Sequence, residues 1–228
     1  MRLCPKHKPG AYAAVMALVA VAALLLLRKP ELLNAYTYSD RIYDRNGQLL
    51  HLGLSLDDKY RIRVPLQEIP PVARKALLLY EDRWFYEHPG VNPASMLRAV
   101  WQMLTGGRRQ GASTLTMQVA RIVYHIDSSS VSGKLLQIVR ALQLEIFYSK
   151  DEILEAYFNL APYGGNIEGI AAAAQVWFNT PVSRLNLPQI LTLTVIPQNP
   201  VKRSPATPAG LKNAAAAAAR LKELWREK

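Results

Sequence analysis

Cysteine is nearly absent from this sequence. The one cysteine among its 228 residues is Cys4. A single thiol can form neither an internal disulfide nor a CxxC redox pair, and it cannot build a cysteine-based zinc site. The sequence therefore excludes a disulfide scaffold, a dithiol oxidoreductase and a zinc-ribbon type of protein within this chain.

Acidic residues are also scarce. Aspartate and glutamate together number 17 against 28 lysines and arginines, which leaves a net charge of +11. No zinc-finger or RRM-like signature accompanies this charge, so nucleic acid is not predicted as a partner. A domain held beside anionic lipid and acting on an anionic substrate accounts for the same excess. The charge balance therefore indicates a membrane surface and a phosphate-bearing ligand.

Long apolar runs are absent except at residues 11–27, which carry no charge over 17 positions. At about 1.5 Å per residue such a helix is roughly 25 Å long, close to the thickness of a hydrocarbon core. A signal peptide is the alternative, because the run follows a basic N-terminus. Residues 28–31 (RKPE) offer no small-x-small cleavage site. We therefore predict an uncleaved transmembrane helix, with residues 1–10 in the cytoplasm and the larger part of the chain outside.

Residues 28–66 have the pattern of an extended, membrane-proximal segment with β-structure. Asn46-Gly47 is a strong hairpin turn signal between two short runs of strand-forming residues. Residues 60–64 alternate in the manner of a further strand. A small β element near the membrane is predicted.

From Pro70 onward the apolar spacing becomes helical. Asn92 is followed by proline as at a helix start, and Ser113 is a candidate N-cap for a helix running towards Tyr124. A further helix is predicted from Lys134 to about Tyr148, and another from a capping box at 149–152 through 160. After a break at 162–165, an alanine-rich helix is predicted to about 178, and a last apolar helix over 189–196. The main domain is predicted at 67–205 and a charged, alanine-rich helical tail at 206–228. The fold class is mainly α.

Two neighbouring acids, Glu81 and Asp82, close the first of these helices beside several aromatic residues. Aromatic side chains that exclude water can raise the pKa of a carboxyl group and make it a useful general base. The simpler interpretation is that both acids decorate a helix end and that His88 caps a turn. Spacing alone does not separate the two interpretations.

A second candidate site is the segment 109–118 (RQGASTLTMQ). A glycine-containing loop that opens a helix presents free backbone N–H groups to an anion, and hydroxyls at 113, 114 and 116 could add donors. The segment lacks Walker P-loop spacing, so nucleotide binding is not predicted. The simpler alternative is an ordinary serine N-cap. Lys134, at the start of a later helix, is a weaker candidate for anion binding.

Together these segments resemble the family 51 glycosyltransferases, the polymerising domain of class A penicillin-binding proteins and of monofunctional transglycosylases. Glu-Asp-x-x-Phe-x-x-His-x-Gly at 81–90 is similar to the first signature, and Gln-Gly-x-Ser-Thr-x-Thr-x-Gln at 110–118 to the second. Residues 149–159 are similar to the fourth signature and residues 163–173 to the fifth. The resemblance covers about residues 40–205.

The third signature departs from the common pattern. It usually reads Arg-Lys-x-x-Glu, whereas residues 133–137 read Gly-Lys-Leu-Leu-Gln, so that an amide, Gln137, stands where a carboxylate is usual. Four other positions that are usually glycine, glutamine, asparagine or basic are occupied by Ala112, Met117, Ile122 and Ser129. Gln137 and the segments 161–165 and 197–200 resemble the 1C-type branch of class A penicillin-binding proteins, which carries glutamine at this position.

The resemblance implies a lysozyme-like, mainly α-helical glycosyltransferase domain with a small β hairpin near an N-terminal transmembrane helix. It implies that the protein polymerises lipid II into β-1,4-linked glycan with inversion, releasing undecaprenyl pyrophosphate. Glu81 is the implied general base. The implied substrate-binding residues are Asp82, Phe85, His88, Gln110, Gly111, Ser113, Thr114, Thr116, Gln118, Lys134 and Gln137.

No cofactor is required by the implied reaction, although a magnesium or manganese ion can accompany the substrate pyrophosphate. The implied partners are lipid II, the growing glycan, the membrane and other cell-wall synthesis proteins. The implied location is the bacterial cytoplasmic (inner) membrane, crossed once, with the catalytic domain on its periplasmic, outer face.

One further activity is not expected, and two alternatives to this prediction stay open. Neither Ser-x-x-Lys nor Lys-Thr-Gly occurs in the chain, so no transpeptidase centre is expected within these residues. A lysozyme-like lytic muramidase could share the fold and a catalytic glutamate. A non-catalytic lipid II-binding or scaffolding remnant of the family is suggested by Gln137 and Ser129.

Overall fold

The computed structural model describes residues 28–95 and 113–227, together with Met16, Val19, Ala23 and Trp101. Its contacts divide the chain into two compact units, Met1–Pro30 and Glu31–Lys228. In the first unit Met16, Val19 and Ala23 are helical, and the rest of the predicted span 11–27 lies outside the described residues. Within the described ranges no helix is both long enough and apolar enough to cross a bilayer.

The second unit is mainly helical, as predicted. Its strands are β1 (Arg41–Tyr43), β2 (Leu49–Leu52), β3 (Tyr60–Arg61) and β4 (Ile167–Glu168). Its described α-helices are α1 (Pro71–Glu81), α2 (Leu115–Val123), α3 (Val131–Phe147), α4 (Lys150–Leu160), α5 (Ile170–Phe178), α6 (Leu187–Val195) and α7 (Pro208–Arg226). Short 3₁₀ helices occupy Leu66–Glu68 and Val182–Arg184.

The predicted hairpin is confirmed. β1 and β2 pair in antiparallel fashion, and Gly47 at their turn has a φ of 77°, which a residue with a side chain adopts at a cost. The Asp44 carboxylate accepts hydrogen bonds from the backbone N–H groups of Asn46 and Gln48 at 2.8 and 2.7 Å. The local turn at residues 44–47 (DRNG) therefore fixes this hairpin, at the position that Asn46-Gly47 predicts.

The third predicted strand is shorter than expected. Residues 60–64 were expected to be extended, but β3 ends at Arg61, where it pairs in parallel with β4. Beyond it the backbone of Val64 is bound on both sides by the Asn159 amide, whose Oδ1 accepts from the N–H and whose Nδ2 donates to the carbonyl, each at 2.8 Å. Because this side chain takes both of its backbone groups, Val64 itself cannot join a strand ladder.

Arg61 fastens this sheet although it is almost fully buried. Its guanidinium donates to the carboxylates of Asp57 and Glu168 and to the carbonyl of Thr37. A buried charge is tolerated only when it is paired and its donors are satisfied. The arrangement ties the segment before β1 to β3 and β4.

Local caps set most helix starts. The predicted capping box at Ser149 and Glu152 is present at the start of α4. The helix α3 begins at Val131, three residues earlier than predicted, because the Ser130 side chain accepts from Gly133 N–H. The N-cap of α2 is Thr114 and not the predicted Ser113, since Thr114 Oγ1 accepts from Met117 N–H at 3.1 Å.

The core lies between α2 and its neighbours α3 and α4, and between α6 and its neighbours α1 and α7. In α2, Leu115, Met117 and Ala120 are fully buried. The alanine-rich α7 packs on α6 through Ala214, Ala217 and Leu221. The division of the chain into domains at 1–10, 11–27, 28–66, 67–205 and 206–228 stays a prediction.

Asn159 is the polar anchor between α4 and the chain before α1. Besides Val64 its amide donates to the carbonyl of Glu155 at 2.9 Å, and the side chain is completely buried. The backbone of Gly169 passes so close that a Cβ there would lie 2.6 Å from the Asn159 carbonyl oxygen. Both residue types are therefore dictated by tight packing.

We predict that Asn159→Ala destabilises the domain by about 2–6 kcal/mol, because two buried backbone groups of Val64 lose their partners at roughly 1–3 kcal/mol each. Urea unfolding of the detergent-solubilised chain measures the loss. The matched control is Asn213→Ala, which removes an exposed amide bonded to Lys202 O at 2.9 Å. Equal stability of the two variants would contradict the proposed anchor.

Candidate active site

Glu81 is the last residue of α1, and its carboxylate is largely withdrawn from water. Oε2 accepts a hydrogen bond from Gln118 Nε2 at 2.9 Å, while Oε1 is buried and has no partner among the described groups. Burial raises the pKa of Glu81, and the Gln118 hydrogen bond opposes that shift. The nearby Asp82 charge raises this pKa further, whereas Arg203 and Arg121 lower it. Such a carboxylate is suited to accept a proton.

Asp82 has a different role from its neighbour. Its two oxygens lie 3.0 and 2.9 Å from His88 Nε2, and Oδ2 also accepts from the backbone N–H of Leu115 at 3.0 Å. Leu115 is the first residue of α2, where the helix dipole favours a negative charge. The predicted substrate contacts of Asp82 and His88 stay a prediction, but both side chains are buried and already bound to each other.

Phe85 and Thr116 also face the protein interior. Phe85 is fully buried, and Lys150 Nζ lies 4.6 Å from the centre of its ring. The same ammonium donates to Glu145 Oε1 at 2.7 Å and to His88 O at 2.6 Å, while Thr116 Oγ1 donates to that Glu145 oxygen. These contacts hold the loop after α1 against the ends of α2 and α3.

Lys134 stands beside the start of α2. Its Nζ donates to Ser113 Oγ at 2.7 Å and to Gln137 Oε1 at 2.8 Å. Burial, followed by repulsion from Arg121, lowers the pKa of Lys134. The structure therefore joins three of the predicted residues into one cluster that carries a half-buried positive charge. The Thr114 hydroxyl is not part of this cluster, because it caps α2 and donates a hydrogen bond to Gly90 O.

Gln137 is buried and bonded within the protein. Its Nε2 donates to Met117 O at 2.6 Å, and the side chain is 2% exposed. Its implied role in substrate binding stays a prediction. An ionised glutamate could not donate to this carbonyl. The amide thus links Lys134 to the α2 backbone from within the protein.

Two arginines near Glu81 were not singled out from the sequence. Arg121, on α2, influences the pKa values of both Glu81 and Lys134, and within the described ranges its guanidinium makes no hydrogen bond or ion pair. Arg203 donates to Tyr80 OH at 2.9 Å and to Val195 O at 2.6 Å. The spacing of Arg121 three residues after Gln118 was a usable signal, because i and i+3 share a helix face. Arg203 had no comparable signal.

Two predicted site residues, Gln110 and Gly111, lie outside the described residues. The described part of the second signature starts at Ser113. It contributes Ser113 to Lys134 and Gln118 to Glu81. The predicted backbone cradle for an anion at residues 109–112 stays a prediction.

A family model described as transglycosylase matches residues 46–226 of the chain, from the β1–β2 turn to the end of α7. The chain belongs to the transglycosylase family. This transglycosylase domain is 45% identical over 162 residues to penicillin-binding protein 1C of Escherichia coli (strain K12), covering 71% of this chain and 21% of that protein. It is 37% identical over 165 residues to penicillin-binding protein 4 of Bacillus subtilis (strain 168), covering 72% and 26%. The chain thus spans about a quarter or less of these relatives' lengths.

The similarity to solved structures is weaker. A crystal structure of penicillin-binding protein 1A from Haemophilus influenzae matches with a TM-score of 0.42 and 18% identity, over 82% of this chain and 18% of that one. A score of this size does not establish a common fold. The mainly helical class is confirmed by the helices themselves, and the lysozyme-like arrangement stays a prediction.

We predict that Glu81→Gln stabilises the transglycosylase domain at high pH. Burial raises the folded-state pKa of Glu81 above its ordinary value of 4.5, so the folded chain binds this proton more tightly than the unfolded chain does. The stability from that proton is complete below about pH 4.5 and is lost as pH rises through the folded pKa. The gain in Tm from Glu81→Gln should therefore appear near pH 8 and vanish near pH 4.

Glu87→Gln is the matched control, because Glu87 is exposed in the same loop. Its Tm should follow the wild type at both pH values. A Glu81→Gln variant that is less stable than wild type at pH 8 would show that the carboxylate is not strained by burial.

Proposed function

We propose that the chain polymerises lipid II into β-1,4-linked glycan strands and releases undecaprenyl pyrophosphate. The observation that supports this most strongly is that a buried carboxylate of raised pKa, Glu81, lies beside α2 together with the cationic groups of Lys134 and Arg121. A base and an anion-stabilising group are the two requirements of this reaction. Family membership supports the same chemistry.

The proposed reaction is a direct displacement. The 4-hydroxyl of the acceptor GlcNAc attacks C1 of the donor MurNAc, Glu81 takes the hydroxyl proton, and the bond from C1 to the pyrophosphate oxygen breaks. One attack from the opposite face converts the α-linked donor into a β-linked product. Gln118 holds Glu81 Oε2 during this step, which leaves Oε1 to receive the proton.

The leaving group needs charge stabilisation more than it needs a proton. We assign this to Lys134 and Arg121, since preorganised cations in a site shielded from water stabilise developing charge strongly. A magnesium or manganese ion on the pyrophosphate stays a prediction. The described residues contain no group of three or more His, Cys, Asp or Glu side chains that could hold a metal, so substrate phosphates would have to carry such an ion.

The proposed location is the outer face of a bacterial cytoplasmic membrane, with residues 11–27 as the single span. The net charge of +11 supports contact with anionic lipid. The growing glycan is the second proposed partner, and other cell-wall synthesis proteins are further proposed partners. Transpeptidase motifs are not expected within these residues.

The test is polymerisation of lipid II by the detergent-solubilised chain, with Glu81→Gln as the decisive variant. Loss of a general base reduces the rate by about 10²–10⁴, and Glu87→Gln should leave it unchanged. Near-normal polymerisation by a folded Glu81→Gln variant would refute the assignment. Shortening of preformed glycan by the wild type would support a lytic muramidase instead.

A non-catalytic, lipid II-binding remnant is the second candidate, because Gln137 replaces the usual glutamate. We expect Gln137→Glu to leave the turnover of lipid II unchanged or to lower it, since the new carboxylate cannot donate to Met117 O. Side-by-side turnover measurements decide between the candidates. A tenfold or larger gain from this one substitution would support the remnant, as would binding of lipid II without any turnover by the wild type.

A further inference from the structure

A groove of about 640 Å³ runs along the outer side of α1. The buried residues of this helix are Ala73, Ala76 and Leu77. At 3.6 residues per turn, the groove residues Lys75 and Leu78 lie on the opposite side of the helix. We call this feature the α1 groove; its walls continue past Glu81 to Arg83, Trp84 and Tyr86.

The charged walls of the α1 groove are all basic. Arg74, Lys75 and Arg83 line it, and none of the lining residues that the structure describes is acidic. Arg74 is half-buried, and its Nε is a buried donor without a partner among the described groups. Lys75 Nζ lies 5.0 Å from the centre of the Trp225 ring. Among the described residues that line it, the α1 groove therefore carries three basic side chains and no acidic one.

The remaining walls are apolar or aromatic. Leu78 and Leu79 are half-buried, and Trp84 is 58% exposed. Tyr86 is 53% exposed and donates its hydroxyl to Asp151 Oδ1 at 2.9 Å. Exposed tryptophan and tyrosine beside basic residues are typical of protein surfaces at the membrane–water interface. The groove therefore combines basic side chains with exposed apolar and aromatic surface.

We propose that the α1 groove binds an anionic phospholipid, with the phosphodiester at Arg74 and Arg83 and the first methylene groups against Leu78, Leu79 and Trp84. Arginine, lysine and tryptophan side chains only donate hydrogen bonds, and a phosphodiester only accepts them. Sugars and peptides carry donors as well, for which these walls supply few acceptors. The inference rests on the proposed membrane location and not on the proposed chemistry.

The experiment uses the full chain in a neutral detergent, titrated with dioctanoyl phosphatidylglycerol below its micelle concentration. Isothermal titration calorimetry should give saturable binding of one lipid per chain. Dioctanoyl phosphatidylcholine, which has the same chains and a zwitterionic headgroup, should bind at least tenfold more weakly. Inorganic phosphate alone should not compete, because it lacks the apolar part. Turnover is not measured, so an inactive protein leaves the result interpretable.

The decisive variant is Arg74→Gln combined with Arg83→Gln, which should weaken phosphatidylglycerol binding at least tenfold. The matched control, Lys212→Gln with Arg220→Gln, removes the same charge from the exposed side of α7 and should bind as the wild type does. Thermal unfolding verifies that both variants are folded, and Trp84→Ala provides a second probe of the groove.

Several results would overturn the proposal. Equal losses in the two double variants would indicate only an overall charge effect, and equal binding of both lipids would remove the role of the anionic headgroup. Competition by inorganic phosphate at comparable concentration would identify a simple anion site. Displacement of the lipid by an acidic peptide that binds more tightly than the lipid would point to a protein partner. Absence of saturable binding would also refute the proposal.

Discussion

The arrangement of the candidate site depends on the Asp82 carboxylate at the start of α2. This group accepts the Leu115 N–H and binds His88, and it therefore joins the loop after α1 to the first turn of a helix more than thirty residues away. Once that turn is fixed, Gln118 lies one turn further along and reaches Glu81. A carboxylate at a helix N-terminus is stabilised by unpaired N–H groups and by the helix dipole, so one interaction orients the rest.

The same helix links the proposed base to the proposed anion site. Gln118 of α2 holds Glu81, while the Met117 carbonyl receives the Gln137 amide that in turn accepts from Lys134. Burial acts on both charged groups in opposite directions, because it raises the pKa of a carboxyl group and lowers that of an ammonium. Both shifts favour the neutral forms, which is unfavourable for stability. For Glu81 the raised pKa helps the carboxylate to take up a proton, whereas an anionic group beside Lys134 would favour the charged ammonium again. The neutral amide at position 137 adds no further charge to this cluster.

The helix α1 separates two environments. Its inner side packs into the core through small and branched residues, and Glu81 lies at its C-terminal end. Its outer side forms the α1 groove, where cations and exposed aromatics meet. A helix that is rigidly packed on one side can hold a site at its end and a second binding surface along its outer side, since both are positioned by the same backbone.

Local sequence determined the features whose partners are close along the chain. The Asn46-Gly47 turn, the Ser149 capping box and the mainly helical class follow from contacts within about four residues, and the order of the family motifs indicated the family. Tertiary structure decided what depends on remote segments: Asp82 binds the start of α2, Gln137 donates to Met117 O across 20 positions, and Asn159 binds the backbone of Val64 from 95 positions away. The influence of Arg121 on the pKa values of both Glu81 and Lys134 likewise depends on how the helices pack. Periodicity and capping patterns specify backbone conformation, but the partner of a long polar side chain is set by which elements pack together.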